Sequence, residues 1–313
     1  MTHPLEFGCQ FQPFKGRTAF LDTAREVEDL GFAAATFPDH FGGWTSVWPS
    51  ITAAASVTST LRLGTLTINN DIWNPIVLAR DVASADQFSD GRIELGMGAG
   101  WRVADYDITG LPYDRPGVRI ARLTEALEIL EKYWAPGEFE HQGVHYSAQG
   151  SEPRIRAFED RRVPLFVGGG GDKILTLAAR TADIIGVHIN LNGGAFQIGS
   201  GAANQDQGVV QDVMEQRLEL IRANIPDGKD PVLQIFLMEV RTGATPLEAA
   251  ETVAPTFGIT PEQVVESPYF LVGPPEAMAE KVRSIYERYG ISYFTCREDH
   301  LDTMRALLPR LLG

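Results

Sequence analysis

Short apolar segments that alternate with longer amphipathic segments are the feature that most constrains the fold of this 313-residue chain. In the N-terminal third, predicted strands begin near positions 5, 33, 61 and 92, and a pattern with helical spacing follows each of them. The steps of 28, 28 and 31 residues between these starts fit one strand, one helix and two connections. This repeat is typical of βα units, because parallel strands need a crossover connection between them.

Four further strands are predicted in the less regular remainder of the chain, at residues 165–167, 183–188, 232–240 and 292–297. Eight strands followed by helices predict an α/β fold of the (β/α)8 TIM-barrel type, which has ~250 residues and tolerates insertions. A doubly wound sheet uses the same local units and is the alternative. Because no clear linker divides the pattern, we expect residues 1–313 to form a single domain.

Insertions are predicted where a barrel places its active site, after the C-terminal ends of strands. They cover residues 101–117, 137–162, 190–207 and about 253–272. The third is rich in Gly, Asn and Gln, and a lid and a plain solvated loop fit that composition equally well. The second contains an alternating stretch, 138–146, which predicts an exposed hairpin for His141 and His145 rather than a metal site.

The charge balance and the absence of targeting signals narrow the class of partner and the expected location. Asp and Glu outnumber Lys and Arg by 41 to 27, so the net charge is -14. Neither nucleic acid nor an anionic membrane is expected as the main partner, since both attract basic surfaces. With no signal peptide and no apolar run near the ~20 residues of a membrane span, we expect a cytoplasmic protein. Cys9 and Cys296 form no metal-binding or disulfide motif.

Polar and glycine-rich residues follow the second, third and fourth predicted strands. Asp39 and His40 come directly after the second, and a histidine exchanges protons near neutral pH, although a capped loop with a packed ring fits as well. Asn69 lies where the third strand ends, as it would in a simple strand-to-loop transition. Alternate glycines at 96, 98 and 100 allow a flat ligand to approach the backbone, although a tight turn fits as well.

Four consecutive glycines, residues 168–171, follow the fifth strand and lead into a predicted helix. Free N–H groups at a helix N-terminus bind anions, typically phosphate. Asp172 could instead be the helix N-cap, and it would repel a phosphate if it faced inward. Because successive glycines are costly unless their backbone is needed, we predict a phosphate site here.

The motifs resemble, in order and along nearly the whole chain, the luciferase-like flavin and deazaflavin oxidoreductases, especially the branch that uses coenzyme F420. The segments are TFPDH (36–40), LGTLT (63–67), FSDGR (88–92), ELGMGAGW (94–101), VPLFVGGGG (163–171) and LVGPP (271–275). FSDGR followed by LGMGAGW is the most specific combination. The resemblance implies a (β/α)8 barrel that binds its flavin or deazaflavin ring at the C-terminal mouth.

Carried over by position, the resemblance also implies a set of cofactor-binding residues. A non-prolyl cis peptide between Leu66 and Thr67 would support the back of the ring, and the glycine turn would hold the phosphate. In such a barrel the first and eighth strands pair, so Cys9 and Cys296 are expected on neighbouring strands without a disulfide. The implied cofactor-binding residues are Asp39, His40, Leu66, Thr67, Asn69, Ala99, Gly100, Gly170, Gly171, Lys173 and Ile174.

The expected function is an F420-dependent oxidoreductase that transfers a hydride between the deazaflavin and a small organic substrate. Sugar-phosphate dehydrogenases of the family have a glutamate proton acceptor where this chain has Trp101, and an indole N–H only donates. Asp105 could compensate only if its loop folds back. We therefore expect the reductive direction, with His40 as the catalytic proton donor.

Three tryptophans on predicted mouth loops, Trp44, Trp73 and Trp101, are expected to line the substrate pocket, although ordinary buried aromatics would give the same pattern. The alternative functions are an FMN-dependent luciferase-like monooxygenase and a non-catalytic barrel that binds a flavin or phosphate ligand. Both coenzymes carry phosphate, so the glycine turn does not discriminate between them. The expected partner is a small-molecule substrate, and a homodimer is left open.

Overall fold

A closed barrel of eight parallel strands forms the centre of the computed structural model, which describes residues 3–152, 154–189 and 211–312. Each strand pairs with its neighbours in chain order, and the last pairs with the first. The (β/α)8 prediction is therefore confirmed, and the doubly wound alternative is wrong because an open sheet would leave those two strands unpaired. The strands are β1 (Glu6–Gln10), β2 (Ala34–Phe37), β3 (Arg62–Thr65), β4 (Ile93–Gly98), β5 (Leu165–Gly169), β6 (Ile184–Val187), β7 (Val232–Phe236) and β8 (Ile291–Arg297).

Helices connect the strands and cover the outside of the barrel. Several begin with proline in the first turn, where its fixed φ suits the helix and its missing N–H costs nothing. The helices are α1 (Arg17–Asp29), α2 (Val47–Ala55), α3 (Pro75–Phe88), α4 (Val103–Thr109), α5 (Pro116–Trp134), α6 (Asp172–Thr181), α7 (Gln211–Arg222), α8 (Pro246–Phe257), α9 (Pro261–Glu266), α10 (Pro275–Tyr289), α11 (Leu301–Leu307) and α12 (Pro309–Leu312). Within the described ranges, every helix is too short or too polar to cross a membrane.

The amino ends of the strands carry a partly buried ionic cluster. Arg62 donates to the carboxylate of Glu6 at 2.6 Å and to that of Glu94 at 3.1 Å. Burial raises the pKa of Glu94, and the neighbouring Arg62 opposes that shift. Tyr293 lies against the same carboxylate, 3.4 Å away. This end of a barrel contributes to stability rather than to chemistry.

The pairing of β1 with β8 places the two cysteines as expected. Cys9 lies directly opposite Cys296, and both thiols are buried and free of any disulfide. Burial raises the pKa of Cys296 to about 12 and that of Cys9 well above its ordinary value. Both thiols therefore stay protonated near neutral pH and pack as small core groups.

Two elements in the C-terminal half have bounds that differ from the predicted ones. The strand expected over 232–240 ends at Phe236, and Glu239–Arg241 pairs instead with Phe270–Val272. The insertion expected over 253–272 contains the end of α8 and all of α9. The helix α8 was not predicted, although Thr245 caps it. Pro255 lies inside this helix, where a proline normally removes a main-chain hydrogen bond and so argues against a helix.

The predicted hairpin is present but begins and ends later than the alternating pattern, and the prediction that it is exposed is wrong at His141, whose side chain is buried. Its strands are Phe139–Gln142 and Ser147–Gly150, so His145 lies in the connecting turn and does not share a strand with His141. The turn is held by Glu125, whose carboxylate accepts the N–H groups of residues 144–146. The predicted insertion 190–207 lies outside the described residues.

The carboxylate of Glu28, in the last turn of α1, fixes the segment that leads into β3. It accepts the N–H groups of Ser59, Thr60 and Leu61 at 2.8, 2.6 and 3.0 Å. Desolvation alone would raise the pKa of Glu28, but these hydrogen bonds outweigh it and hold the pKa below its ordinary value.

Replacing Glu28 by Gln should lower the free energy of unfolding by roughly 1 kcal/mol at pH 7, because a charged acceptor binds the three N–H groups more strongly than an amide does and solvent screens this surface site. The native pKa is lowered, so this stabilisation is present above the unfolded value of ~4.3 and is lost as the pH falls through the native pKa. Urea unfolding of both proteins at pH 7 and pH 3 measures it, with Asp29→Asn as the exposed control. The same difference at both pH values would contradict the assignment.

Candidate active site

The predicted site residues lie on four loops that are neighbours around the carboxyl rim of the barrel. These loops follow β2, β3, β4 and β5, which pair in that order. Since parallel strands end at the same rim, residues far apart in sequence come together there. The rim on this side is therefore the candidate site.

An irregularity in the sheet shapes the floor of this site. Gly64 pairs with Glu94 and Ile68 pairs with Met97, so the β3 side takes four steps where β4 takes three. The extra residue forms a β-bulge, a feature that is frequent beside active sites. The peptide between residues 66 and 67, inside the bulge, is cis, as expected.

Side chains replace main-chain pairing at the bulge. The Thr65 hydroxyl donates to the carbonyl of Gly96 at 2.7 Å and accepts its N–H at 3.0 Å. From β1, which lies beyond β2 in the sheet, Gln10 donates to the carbonyl of Leu66 at 3.0 Å. The backbone of the bulge is therefore held in place from both sides.

Asp39 joins the loop after β2 to the loop after β3. Its Oδ2 accepts the N–H of Asn69 at 3.1 Å and the indole N–H of Trp73 at 2.8 Å. Burial raises the pKa of Asp39, and these two hydrogen bonds oppose the shift. The Trp73 ring packs edge-on against Trp48, with ring centres 6.2 Å apart. Trp73 is thus part of the wall behind Asp39.

His40 lies between the two other predicted tryptophans. Its ring centre is 5.8 Å from that of Trp44 and 5.6 Å from that of Trp101, at angles of 71° and 89°. Its Nδ1 is 2.7 Å from Oδ2 of Asp105. The His40 side chain is 20% exposed and that of Asp105 is 1% exposed. The loop carrying Asp105 therefore does fold back, which was the condition for this carboxylate to act at the site.

A polar network that the sequence did not indicate supports Asn69 from behind. The Tyr106 hydroxyl lies 3.3 Å from the side-chain oxygen of Asn69 and 3.1 Å from a carboxylate oxygen of Asp71. Arg122, on α5, donates to both oxygens of Asp71 at 2.8 and 2.7 Å. Burial and the nearby Asp71 carboxylate raise the pKa of Tyr106 to about 12, so the hydroxyl stays protonated.

Arg119, also on α5, holds the loop after β4. Its guanidinium donates to the carbonyls of Ala99 and Gly100 and stacks over the ring of Tyr113, 4.2 Å from its centre. The only sequence signal for this support was a pair of arginines, Arg119 and Arg122, three residues apart on an amphipathic helix. The backbone of residues 99–100 is thereby fixed beside the bulge.

The glycine turn after β5 differs from its sequence interpretation in two respects. The N-cap of α6 is Gly171, so the interpretation of Asp172 as the N-cap is wrong. Gly168 and Gly169 are required by packing, because a Cβ would lie 2.9 Å from the ring of His188 at the first position and would overlap Ile174 at the second. Only part of the glycine run is therefore left for a ligand.

The start of α6 itself is open. A Cβ at Gly171 would meet nothing within 4 Å, and no described side chain caps this helix. Lys173 is exposed, and its amino group lies 3.7 Å from the position that a Cβ would take at Gly117, in the first turn of α5. Ile174 is buried against Gly169. The first turn of α6 can therefore bind an anion with its N–H groups, while Ile174 shapes the turn.

Replacing Gly100 by Ala should destabilise the protein by roughly 2–4 kcal/mol, because φ is +72° and a Cβ would overlap the Tyr106 hydroxyl and the Asn69 oxygen. Gly110→Ala is a matched control: its φ is +70°, but a Cβ there meets nothing within 4 Å, so only the backbone strain of about 1–2 kcal/mol is expected. Urea unfolding compares the two. Equal losses would mean that the Asn69–Tyr106 contact does not constrain Gly100.

Comparison with curated proteins finds relatives that use F420. The 5,10-methylenetetrahydromethanopterin reductase of Methanopyrus kandleri is 28% identical over 198 residues, which are 59% of this chain and 55% of that protein. The F420-dependent glucose-6-phosphate dehydrogenase of Microbacterium testaceum is 27% identical over 192 residues, 58% of this chain and 56% of that protein. The matches span about half the length of these relatives.

Comparison with solved structures covers nearly the whole chain and shows the same fold. The coenzyme F420-dependent tetrahydromethanopterin reductase from Methanopyrus kandleri matches with a TM-score of 0.77 at 18% identity, over 99% of both chains. An F420-dependent secondary alcohol dehydrogenase, in complex with an F420–acetone adduct, matches with a TM-score of 0.75 at 17% identity, over 99% of both chains. The oxygenating constituent of 3,6-diketocamphane monooxygenase from Pseudomonas putida, in complex with FMN, matches with a TM-score of 0.73 at 17% identity, over 99% of this chain and 98% of that one.

The family is shown by the sequence itself. Residues 10–198 match the family model described as luciferase-like monooxygenase. That range contains β2 to β6 and all four loops of the candidate site. The chain belongs to the luciferase-like monooxygenase family.

Proposed function

We propose that this protein is an F420-dependent oxidoreductase that transfers a hydride between the deazaflavin and a small organic substrate, in the reductive direction. The observation that carries the proposal is the position of His40, which is backed by a buried carboxylate and flanked by two indoles at the rim of the barrel. The names of the curated relatives support F420 as the coenzyme.

The described residues fit such a coenzyme. A flat ring would lie against the bulge at Leu66 and Thr67 and the backbone of Ala99 and Gly100. The alternate glycines of this segment are needed by the protein itself, because a Cβ at Gly96 would overlap the carbonyl of Thr65 and one at Gly98 would lie 2.6 Å from the Thr67 hydroxyl. Asp39 and Asn69 would meet the polar edge of the ring. When bound, the coenzyme supplies the hydride chemistry, and the protein supplies position and electrostatics.

The phosphate of the coenzyme would bind at the start of α6. The backbone of Gly170 and Gly171 and the amino group of Lys173 would contact it, and Ile174 would hold the turn in shape. Asp172 is exposed at the surface. Its repulsion of a phosphate is therefore screened by solvent.

The substrate would lie between Trp44 and Trp101, next to His40. Trp101 is 37% exposed, so its ring is available to a planar, partly apolar molecule. Trp73 would act one layer behind, through Asp39. We place the reductive direction first because the imidazole of His40 is the group beside this space that can give a proton, whereas an indole can neither give nor accept one and only donates a hydrogen bond. His40 would accept the proton when the reaction runs in reverse.

An FMN-dependent monooxygenase is the second candidate function. It is favoured by the family model and by the FMN complex among the structural relatives. A barrel that only binds its ligand would not need a buried carboxylate behind a rim histidine, so we rank a non-catalytic role below both enzymes.

The first test compares the two coenzymes. F420 should bind at least about tenfold more tightly than FMN, a difference of ~1.4 kcal/mol, when each is titrated and its fluorescence is followed. Lys173→Ala should weaken the binding of both, because both carry phosphate. Lys229→Ala, just before β7 at the opposite end of the barrel, is the control. Similar affinities, or purification with tightly bound FMN, would favour the monooxygenase instead.

The second test concerns proton transfer. His40→Gln should lower kcat by roughly 10²–10⁴-fold with little change in F420 affinity, because the amide keeps a polar side chain but does not exchange protons near neutral pH. The assay uses reduced F420 with a panel of enones, nitroaromatics and ketones. Turnover of a good substrate that survives both His40→Gln and His40→Ala would leave His40 with a packing role only.

A further inference from the structure

We propose that Asp105 is a positioning residue for proton transfer, whose buried carboxylate fixes the orientation and the tautomer of His40. This inference rests on the proposed function of His40 and names the residue through which that function is controlled. Asp105 would not touch the substrate or the coenzyme. Its effect would pass entirely through the imidazole.

The geometry assigns the proton on one ring nitrogen of His40. The Nδ1 atom lies 2.7 Å from Oδ2 of Asp105, within the range of a charge-assisted hydrogen bond. An ionised carboxylate only accepts hydrogen bonds, so Nδ1 must be the donor. A neutral His40 therefore carries its hydrogen on Nδ1, and Nε2 is the atom that gains or loses a proton.

The remaining hydrogen bonds of Asp105 hold it in place as an anion. Its Oδ1 accepts the N–H of Phe41 at 3.3 Å and the guanidinium of Arg102 at 3.2 Å. Arg102 also donates to the carbonyl of Phe41 at 3.0 Å, and its guanidinium lies over the ring of Trp44, 5.7 Å from the ring centre. A buried charge needs such partners, and here each oxygen has at least one.

The hydrogen bond to Asp105 and the two neighbouring indoles also restrict rotation of the His40 ring. The Nδ1 edge of the ring faces α4, and the indoles of Trp44 and Trp101 lie at near-perpendicular angles to the ring. The imidazole is 20% exposed, whereas the carboxylate behind it is 1% exposed. Solvent therefore reaches the histidine and not the aspartate.

The proton balance of the reductive step follows from this assignment. The Nε2–H bond of the imidazolium breaks, its electron pair stays on Nε2, and the proton forms a new bond to the substrate. The Nδ1–H bond to Asp105 is kept, so the ring becomes neutral without rotating. Water at the exposed edge then returns a proton to Nε2. In the oxidative direction the same atoms act in reverse order.

A purely structural explanation of Asp105 predicts a different outcome. The carboxylate joins α4 to residue 41, so it could serve only to hold two loops together. In that case its loss would weaken coenzyme binding and would act independently of His40. A positioning residue instead affects turnover, and only while His40 is present.

The first experiment uses Asp105→Asn, His40→Gln and the double variant. Asp105→Asn should lower kcat about 10- to 100-fold, because the amide no longer selects one orientation of the ring, while F420 affinity stays within about twofold. In the His40→Gln background the same change should alter kcat by less than about threefold. Asp107→Asn, which changes an exposed aspartate on the same helix, should leave kcat unchanged.

The second experiment needs no coenzyme and so separates this inference from the proposed function. Nitrogen-15 NMR of the histidine side chains should show neutral His40 with its hydrogen on Nδ1, and a mixture of both tautomers in Asp105→Asn. Wild-type kcat in Asp105→Asn, an equal loss in the His40→Gln background, or a hydrogen on Nε2 in the wild type would each overturn the inference. A wild type that neither binds F420 nor turns over would refute the proposed function, and the NMR result would still decide the role of Asp105.

Discussion

Closure of the sheet between β8 and β1 determines where the functional groups of this protein lie. Cys9 faces Cys296 and Gln10 faces Arg297 across that closure. Because all eight strands run parallel, their carboxyl ends form one rim, and groups from β2 to β5 become neighbours there. Contacts such as that of Asp39 with the N–H of Asn69 then fix their relative positions. The site is therefore a consequence of the barrel topology first and of individual side chains second.

The two ends of the barrel use charge differently. At the amino end, the carboxylates of Glu6 and Glu94 share Arg62, so this partly buried ionic cluster is internally paired. At the carboxyl end the sheet is interrupted by the bulge, and the ion pairs Arg122–Asp71 and Arg102–Asp105 lie behind the site. The pairs at the amino end stabilise the fold, whereas those at the carboxyl end support residues whose side chains, such as His40 and Trp101, remain accessible.

The sequence was most informative where structure depends on local spacing. The helix α3, Pro75–Phe88, depends on local signals of this kind: Asn74 caps it, proline opens it and the FSDGR segment ends it. The approach of Asp105 to His40 could not be predicted, since it depends on the path of an insertion 65 residues further along. The glycines at 168–171 show a second limit of prediction from sequence. A glycine is needed both where a ligand approaches the backbone and where a side chain such as Ile174 does, and the sequence does not distinguish the two cases.

The pair of His40 and Asp105 changes the significance of an indole at position 101. In the sequence alone, Trp101 implies the loss of a carboxylate from the site, and the fold restores one behind the histidine. A carboxylate at position 101 would meet the substrate directly, whereas Asp105 reaches it only through Nε2 of His40. Under the proposed function, proton exchange is then confined to one atom of a ring whose centre is 5.8 Å from that of Trp44 and 5.6 Å from that of Trp101. A substrate would then have to place its proton-accepting atom at Nε2 of His40 while it lies against these two indoles.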